Sequence, residues 1–82
     1  MGERILILGA NGQIGSELAA ALRLKFGADN VITSDIREPR ERAEQEIFEL
    51  VNVLDKERVK HLFEQYQPTQ VYLLAAMLSA TG

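Results

Sequence analysis

Four apolar runs punctuate the chain, and the stretches between them are polar or helically periodic. Ile5-Leu6-Ile7-Leu8 is continuous and closed by Gly9, a pattern that suits a strand buried on both faces, as in a parallel sheet. Ile14, Leu18, Ala21 and Leu22 then recur at helical spacing around Ser16, Glu17 and Arg23, with Gly27 placed as a left-handed stop. Val31-Ile32-Thr33-Ser34 predicts a second strand that ends at Asp35. Pro39 and dense charge across 37–46 predict an exposed loop, with a helical turn after the proline. Phe48 to Val53 suits a third strand. Asp55 is placed to N-cap a helix in which Val59, Leu62, Phe63 and Tyr66 form one apolar stripe before Pro68. Val71-Tyr72-Leu73-Leu74 predicts a fourth buried strand, running into Ala75-Ala76.

Alternation of strands with helices or crossover loops implies parallel strands joined by right-handed connections. The expected fold is therefore α/β: a Rossmann-like parallel sheet of order 3-2-1-4, flanked by helices, forming half of a doubly wound fold. A six-stranded sheet needs more chain than the 82 residues here. The fourth strand is left as an apolar edge open to pairing, so the sequence is expected to be a piece of a larger protein.

Composition narrows the partners. Apolar content of 46% and charged content of 26% are ordinary for a soluble globular chain. A net charge of −3 gives no basic footprint for nucleic acid or an anionic membrane. The absence of cysteine excludes a disulfide framework and thiolate metal sites. No signal peptide or membrane span is expected, because the first apolar run is too short for either. The expected location is the cytoplasm.

The chemistry concentrates in Gly9-Ala10-Asn11-Gly12-Gln13-Ile14-Gly15, spaced G-x-x-G-x-x-G between a buried strand and an amphipathic helix. In such a turn Gly9 permits the tight bend, Gly12 lets backbone approach a pyrophosphate, and Gly15 allows close helix packing. The helix N-terminus offers free amides and a positive dipole end to phosphates. Asp35 follows Gly15 by twenty residues. A carboxylate there can accept hydrogen bonds from adenosine ribose hydroxyls and repel a 2′-phosphate, favouring NAD over NADP. Arg37 works against that preference, because an arginine nearby can neutralise such a phosphate. Asn52-Val53 closes the third strand, where the asparagine amide serves either an adenine edge or a turn. Leu74-Ala75-Ala76 are small or apolar residues that suit both core packing and contact with a cofactor. His61 lies off the apolar stripe of its helix and reads as a surface residue. Ser79 and Thr81 follow the fourth strand.

The glycine turn, Asp35 and Leu74-Ala75-Ala76 resemble the extended short-chain dehydrogenase/reductases, the NAD-dependent epimerase/dehydratase group. Within it, Gly9 to Gly15, Ser34-Asp35-Ile36-Arg37, Val51-Asn52-Val53-Leu54-Asp55 and Ala75-Ala76-Met77-Leu78-Ser79-Ala80-Thr81-Gly82 are similar in order and spacing to the short-chain L-threonine 3-dehydrogenases. Many sugar-nucleotide members carry a histidine two residues before the paired alanines, where this chain has Leu73.

The resemblance implies NAD as cofactor. It carries NAD-binding roles over to Gly9, Asn11, Gly12, Gln13, Ile14, Gly15, Asp35, Ile36, Arg37, Asn52, Val53, Leu74, Ala75 and Ala76, and contact with substrate to Ser79. It implies oxidation of L-threonine at its β-carbon to 2-amino-3-ketobutyrate, in a homodimeric parent enzyme. In that family a Y-x-x-x-K pair does the proton work, the lysine and nicotinamide charge lowering the tyrosine pKa. Here Tyr66 is followed four residues on by Gln70, and Tyr72 by Ala76. Residues 1–82 are thus expected to be an NAD-binding N-terminal portion without catalytic residues, inactive as a dehydrogenase alone. Two other readings fit the residues: part of a sugar-nucleotide epimerase or dehydratase, and a non-catalytic NAD-binding module.

Overall fold

The computed structural model describes residues 2–74. In order, the elements are β1 (Ile5–Leu8), α1 (Gln13–Phe26), a 3-10 turn at Ala28–Asn30, β2 (Val31–Asp35), β3 (Ile47–Leu50), α2 (Lys56–Tyr66) and β4 (Gln70–Leu73). The four strands form one sheet of order β3-β2-β1-β4. Every pairing is parallel, with β1 central between β2 and β4.

The central position of β1 explains its unbroken apolar run. Alternate side chains of a strand point to opposite faces, and here both faces are covered. Ile5 and Ile7 join Val31 of β2 and Ala19 and Leu22 of α1 in one cluster. Leu6 and Leu8 join Ile32, Val51 and Leu62 of α2 in the other. Each helix therefore lies on its own face, and β1 contributes two buried side chains to each.

The helix ends follow from local chemistry. Asp55 accepts a hydrogen bond from the Arg58 backbone N–H at 3.2 Å, capping α2 as its position predicts. That helix stops at Gln67 in the left-handed conformation, immediately before Pro68. Gly27 closes α1 at φ 95°, its N–H donating to Arg23 O at 2.8 Å.

Several sequence expectations shift. The third strand is Ile47–Leu50 rather than Phe48 to Val53. Val51 still donates to Asp35 O at 2.8 Å, but the chain then bends: the Asn52 side-chain oxygen takes the Leu54 N–H and its carbonyl takes that of Asp55, both at 2.9 Å. No helical turn follows Pro39; the crossover carries a turn closed by Glu46 N–H on Ala43 O. On α1 the buried face is Gly15, Ala19 and Leu22, whereas Ile14 is 74% exposed and Ala21 also faces solvent. On α2 only Leu62 is buried, and Phe63 is 40% exposed. The fourth strand is not buried throughout. As the edge of the sheet it leaves Val71 42% and Leu73 50% exposed. Among the described residues no helix is long and apolar enough to cross a membrane.

Candidate functional site

The carboxyl ends of β1 and β2 converge on the glycine turn. Gly9 takes φ 90°, a conformation that disfavours any side chain. This bend lets two consecutive amides, those of Gly9 and Ala10, donate to one acceptor, Ser34 O, each at 2.9 Å. Ser34 is fully buried, and its hydroxyl donates to Ile7 O at 2.9 Å. One residue of β2 thus fastens both β1 and the turn that follows it.

The other two glycines answer different demands. A Cβ at Gly15 would lie 2.8 Å from both Gly9 O and Ala10 O. The first turn of α1 therefore packs directly on the backbone of the glycine turn, closer than any side chain permits. At Gly12 the backbone is ordinary (φ −69°, ψ 173°) and a Cβ would meet nothing within 4 Å. Nothing among the described residues demands glycine there, and the space it leaves is open to a ligand.

Gly12 is also the N-cap of α1, with no side-chain cap and no acidic residue in the first turn. Ser16 N–H returns to Gly12 O at 2.8 Å. The earlier amides of a helix have no intrahelical acceptor. Those of Gln13, Ile14 and Gly15 therefore face the open side with the positive end of the helix dipole behind them, a setting that takes an anion.

Asp35 lies beside this turn. Its Oδ2 accepts the Asn11 backbone N–H at 2.8 Å and its Oδ1 accepts that of Ile36 at 2.7 Å. The Asn11 side-chain amide donates to Arg37 O at 2.5 Å. Each carboxylate oxygen retains a lone pair for a further donor, so the group can still receive a diol. Ile36 and Arg37 are exposed just beyond it. Asn52 sits past the end of β3 in the turn described above, with its side-chain oxygen engaged and its NH₂ not needed for that turn. Val53 packs half-buried against the Leu62 cluster, so it has a core role whatever else it touches. Leu74 N–H donates to Leu8 O at 2.9 Å, and its side chain packs against the α1 cluster. Ala75, Ala76, Ser79 and Thr81 lie outside the described residues. Exposed His61 has no part in the site.

The crossover from β2 to β3 runs along α1. Arg23 of that helix reaches Glu46 at 3.6 Å and the Thr33 hydroxyl at 3.5 Å, while Thr33 donates to Ile47 O at 2.8 Å. Between helix and crossover lies a cavity of about 630 Å³, lined by Asn11, Ser16, Arg23, Arg37, Arg40 and Arg42, among others.

Sequence reasoning missed Ser34, the residue that assembles the turn. Its signal was a hydroxyl pair inside an otherwise apolar strand, Val31-Ile32-Thr33-Ser34. A buried polar side chain must find a partner, and both of these find backbone carbonyls.

Comparison with known proteins agrees with this fold. The profile of the NAD dependent epimerase/dehydratase family matches residues 5–82. An uncharacterized epimerase/dehydratase of Staphylococcus saprophyticus is 44% identical over 82 residues, 98% of this chain and 26% of the relative. The chain thus spans about a quarter of the length of the curated relatives it matches. Among solved structures, L-threonine dehydrogenase from Clostridium difficile is similar with a TM-score of 0.81 and 40% identity, over 89% of this chain and 24% of that one. The holo form of a GalE-like L-threonine dehydrogenase from Cupriavidus necator is similar with a TM-score of 0.77 and 49% identity, over 87% of this chain and 23% of that one.

Proposed function

The chain belongs to the NAD-dependent epimerase/dehydratase family, and from that premise we propose that it forms the NAD-binding N-terminal portion of a cytoplasmic, homodimeric dehydrogenase that oxidises L-threonine to 2-amino-3-ketobutyrate. The observation that carries this reading is the joint agreement, in fold and in sequence, with solved L-threonine dehydrogenases over the segment that holds the glycine turn and Asp35.

The residues present suit a dinucleotide. The first-turn amides of α1 receive the pyrophosphate, and the clearance at Gly12 admits it. The Asp35 carboxylate, already oriented by two backbone donors, accepts from the ribose hydroxyls. The Asn52 amide, with its oxygen fixed, presents its NH₂ toward the base. Ile36, Arg37, Val53 and Leu74 flank this track, with Gln13 and Ile14 at its phosphate end. Ala75 and Ala76 continue it in our reading, and Ser79 contacts the substrate. When bound, NAD supplies the hydride acceptor. The chain's own part is to bind and orient. No Y-x-x-x-K occurs in its 82 residues, so the proton-transferring groups are assigned to the remainder of the enzyme.

The test has two parts. NMR titration of this chain with NAD should give saturable shifts at Gly9 to Gly15 and Asp35, with weaker ones for NADP. The full natural protein should form NADH in a threonine-dependent reaction. Conversion of UDP-galactose without threonine oxidation would replace this reading with a sugar-nucleotide epimerase.

A further inference from the structure

We propose that Asn11-Gly12 is a self-modification site, at which the Gly12 main-chain nitrogen displaces the Asn11 side-chain amide as ammonia and a carboxylate is left in the glycine turn. The effect on the cofactor rests on the proposed binding of NAD there; the reaction itself does not.

Asparagine followed by glycine is the pair in which this cyclisation meets least obstruction, because glycine carries no side chain beside the attacking nitrogen. The structure keeps that nitrogen accessible. Among the described residues Gly12 N–H has no acceptor. A Cβ at Gly12 would meet nothing within 4 Å, and Asn11 is exposed. Asn30 and Asn52, the other asparagines of the 82 residues, precede Val31 and Val53, whose branched side chains crowd their own main-chain nitrogens. Val31 N–H is moreover committed to Ala28 O.

The step balances with water as its one co-reactant. The Gly12 nitrogen bonds to Asn11 Cγ and gives up its proton; the Cγ–Nδ2 bond breaks, and Nδ2 leaves with that proton as ammonia. Water then opens the cyclic imide at either carbonyl. One opening gives aspartate on an unchanged main chain. The other gives isoaspartate, with the main chain rerouted through Cβ and Cγ and lengthened by a methylene.

The consequences fall on contacts already described. The NH₂ that is lost is the group donating to Arg37 O at 2.5 Å. A carboxylate can only accept there, so the join between turn and crossover ends. The new charge also lies beside Asp35, whose Oδ2 accepts the Asn11 N–H at 2.8 Å, and one residue before the N-cap of α1. It therefore competes with a pyrophosphate for the positive end of that helix. A pyrophosphate in the open space at Gly12 would in turn shield the attacking nitrogen.

The test holds the full natural protein in mildly alkaline buffer with and without saturating NAD, and follows the amide-to-carboxylate mass gain at each asparagine by peptide mapping. Asn11 should convert at least about tenfold faster than Asn30 and Asn52, and NAD should slow its conversion. Gly12→Ala, at backbone angles that any residue adopts, should slow Asn11 by about tenfold with an unchanged circular dichroism spectrum. Asn11→Asp should weaken NAD binding about tenfold in calorimetry. Equal rates at Asn11, Asn30 and Asn52 overturn the site, as does a Gly12→Ala protein that converts as fast as the unsubstituted one. An Asn11→Asp protein with unaltered NAD affinity, or bound NAD that leaves the rate at Asn11 unchanged, overturns the link to the cofactor. Absence of saturable NAD binding in fresh, unconverted protein sinks the reading of the turn instead, while the rates without NAD still decide the chemistry.

Discussion

Glycine at positions 12 and 15 serves two different bodies, and substitution separates them. Gly15→Ala forces a methyl to within 2.8 Å of two carbonyl oxygens. Urea unfolding should show a loss of about 1–3 kcal/mol, the usual cost of overpacking against backbone that has nowhere to go. Gly12→Ser meets open space and supplies a preferred N-cap for α1. Its stability should hold or rise by a few tenths of a kcal/mol, while calorimetry should show NAD binding weakened about tenfold or more, equivalent to about 1.4 kcal/mol. A Gly12→Ser protein that binds NAD normally would remove the phosphate from the space assigned to it. The spacing of the three glycines was legible in the sequence. That spacing also set Gly12 apart for phosphate approach and Gly15 for helix packing; the 2.8 Å that a Gly15 Cβ would leave to the Gly9 and Ala10 carbonyls was not legible, because it depends on how closely α1 approaches them. Ser34 and the Asn11–Arg37 bond stayed hidden for a related reason. Each joins residues more than twenty positions apart, at a distance set only by strand pairing.

Among the elements, α2 is attached by polar contacts as much as by its core. Leu62 is its one buried residue. Tyr66 donates a short hydrogen bond to Glu49 of β3, and Arg58 reaches the other oxygen of that carboxylate at 2.9 Å. Burial, followed by the bond to Glu49, pushes the Tyr66 phenol up to about 12 from its ordinary 10. The folded state therefore holds the proton more tightly than the unfolded chain does. Its contribution is complete below pH 10, declines above it and is lost by about pH 12. Urea midpoints measured at pH 9 and pH 11.5 should differ more for the natural chain than for Tyr66→Phe. Equal differences would mean that the phenol carries none of the alkaline loss. The alternation of apolar runs made the strands readable. The α2 stripe misled: its pattern assigns Phe63 to the core, whereas Leu62 alone is buried and Phe63 is 40% exposed.

For the molecule as a whole, one edge of the sheet is β4. Val71 and Leu73 alternate with half-buried Gln70 and Tyr72 on a strand whose one neighbour among the described residues is β1. Apolar edge strands of this kind recruit partners. The 82-residue chain on its own should self-associate with rising concentration in sedimentation experiments, and Val71→Thr with Leu73→Lys should suppress that. Persistence of association in the double variant would place the contact elsewhere. Fold class and strand order could be read from the sequence because parallel connections admit few topologies. The exposure of β4 followed from its place in that order.

The unequal division of the core between the two helices has a further consequence. On one face α1 buries Gly15, Ala19 and Leu22, and on the other α2 buries Leu62 alone. Opening of a native protein proceeds in units of unequal free energy. Amides of α2 should therefore exchange with deuterium well before those of β1 and α1, through a state in which the second helix has lifted and the Gly9 to Gly15 turn is still closed on Ser34. In that state the half that carries the glycine turn outlasts the half that completes its scaffold.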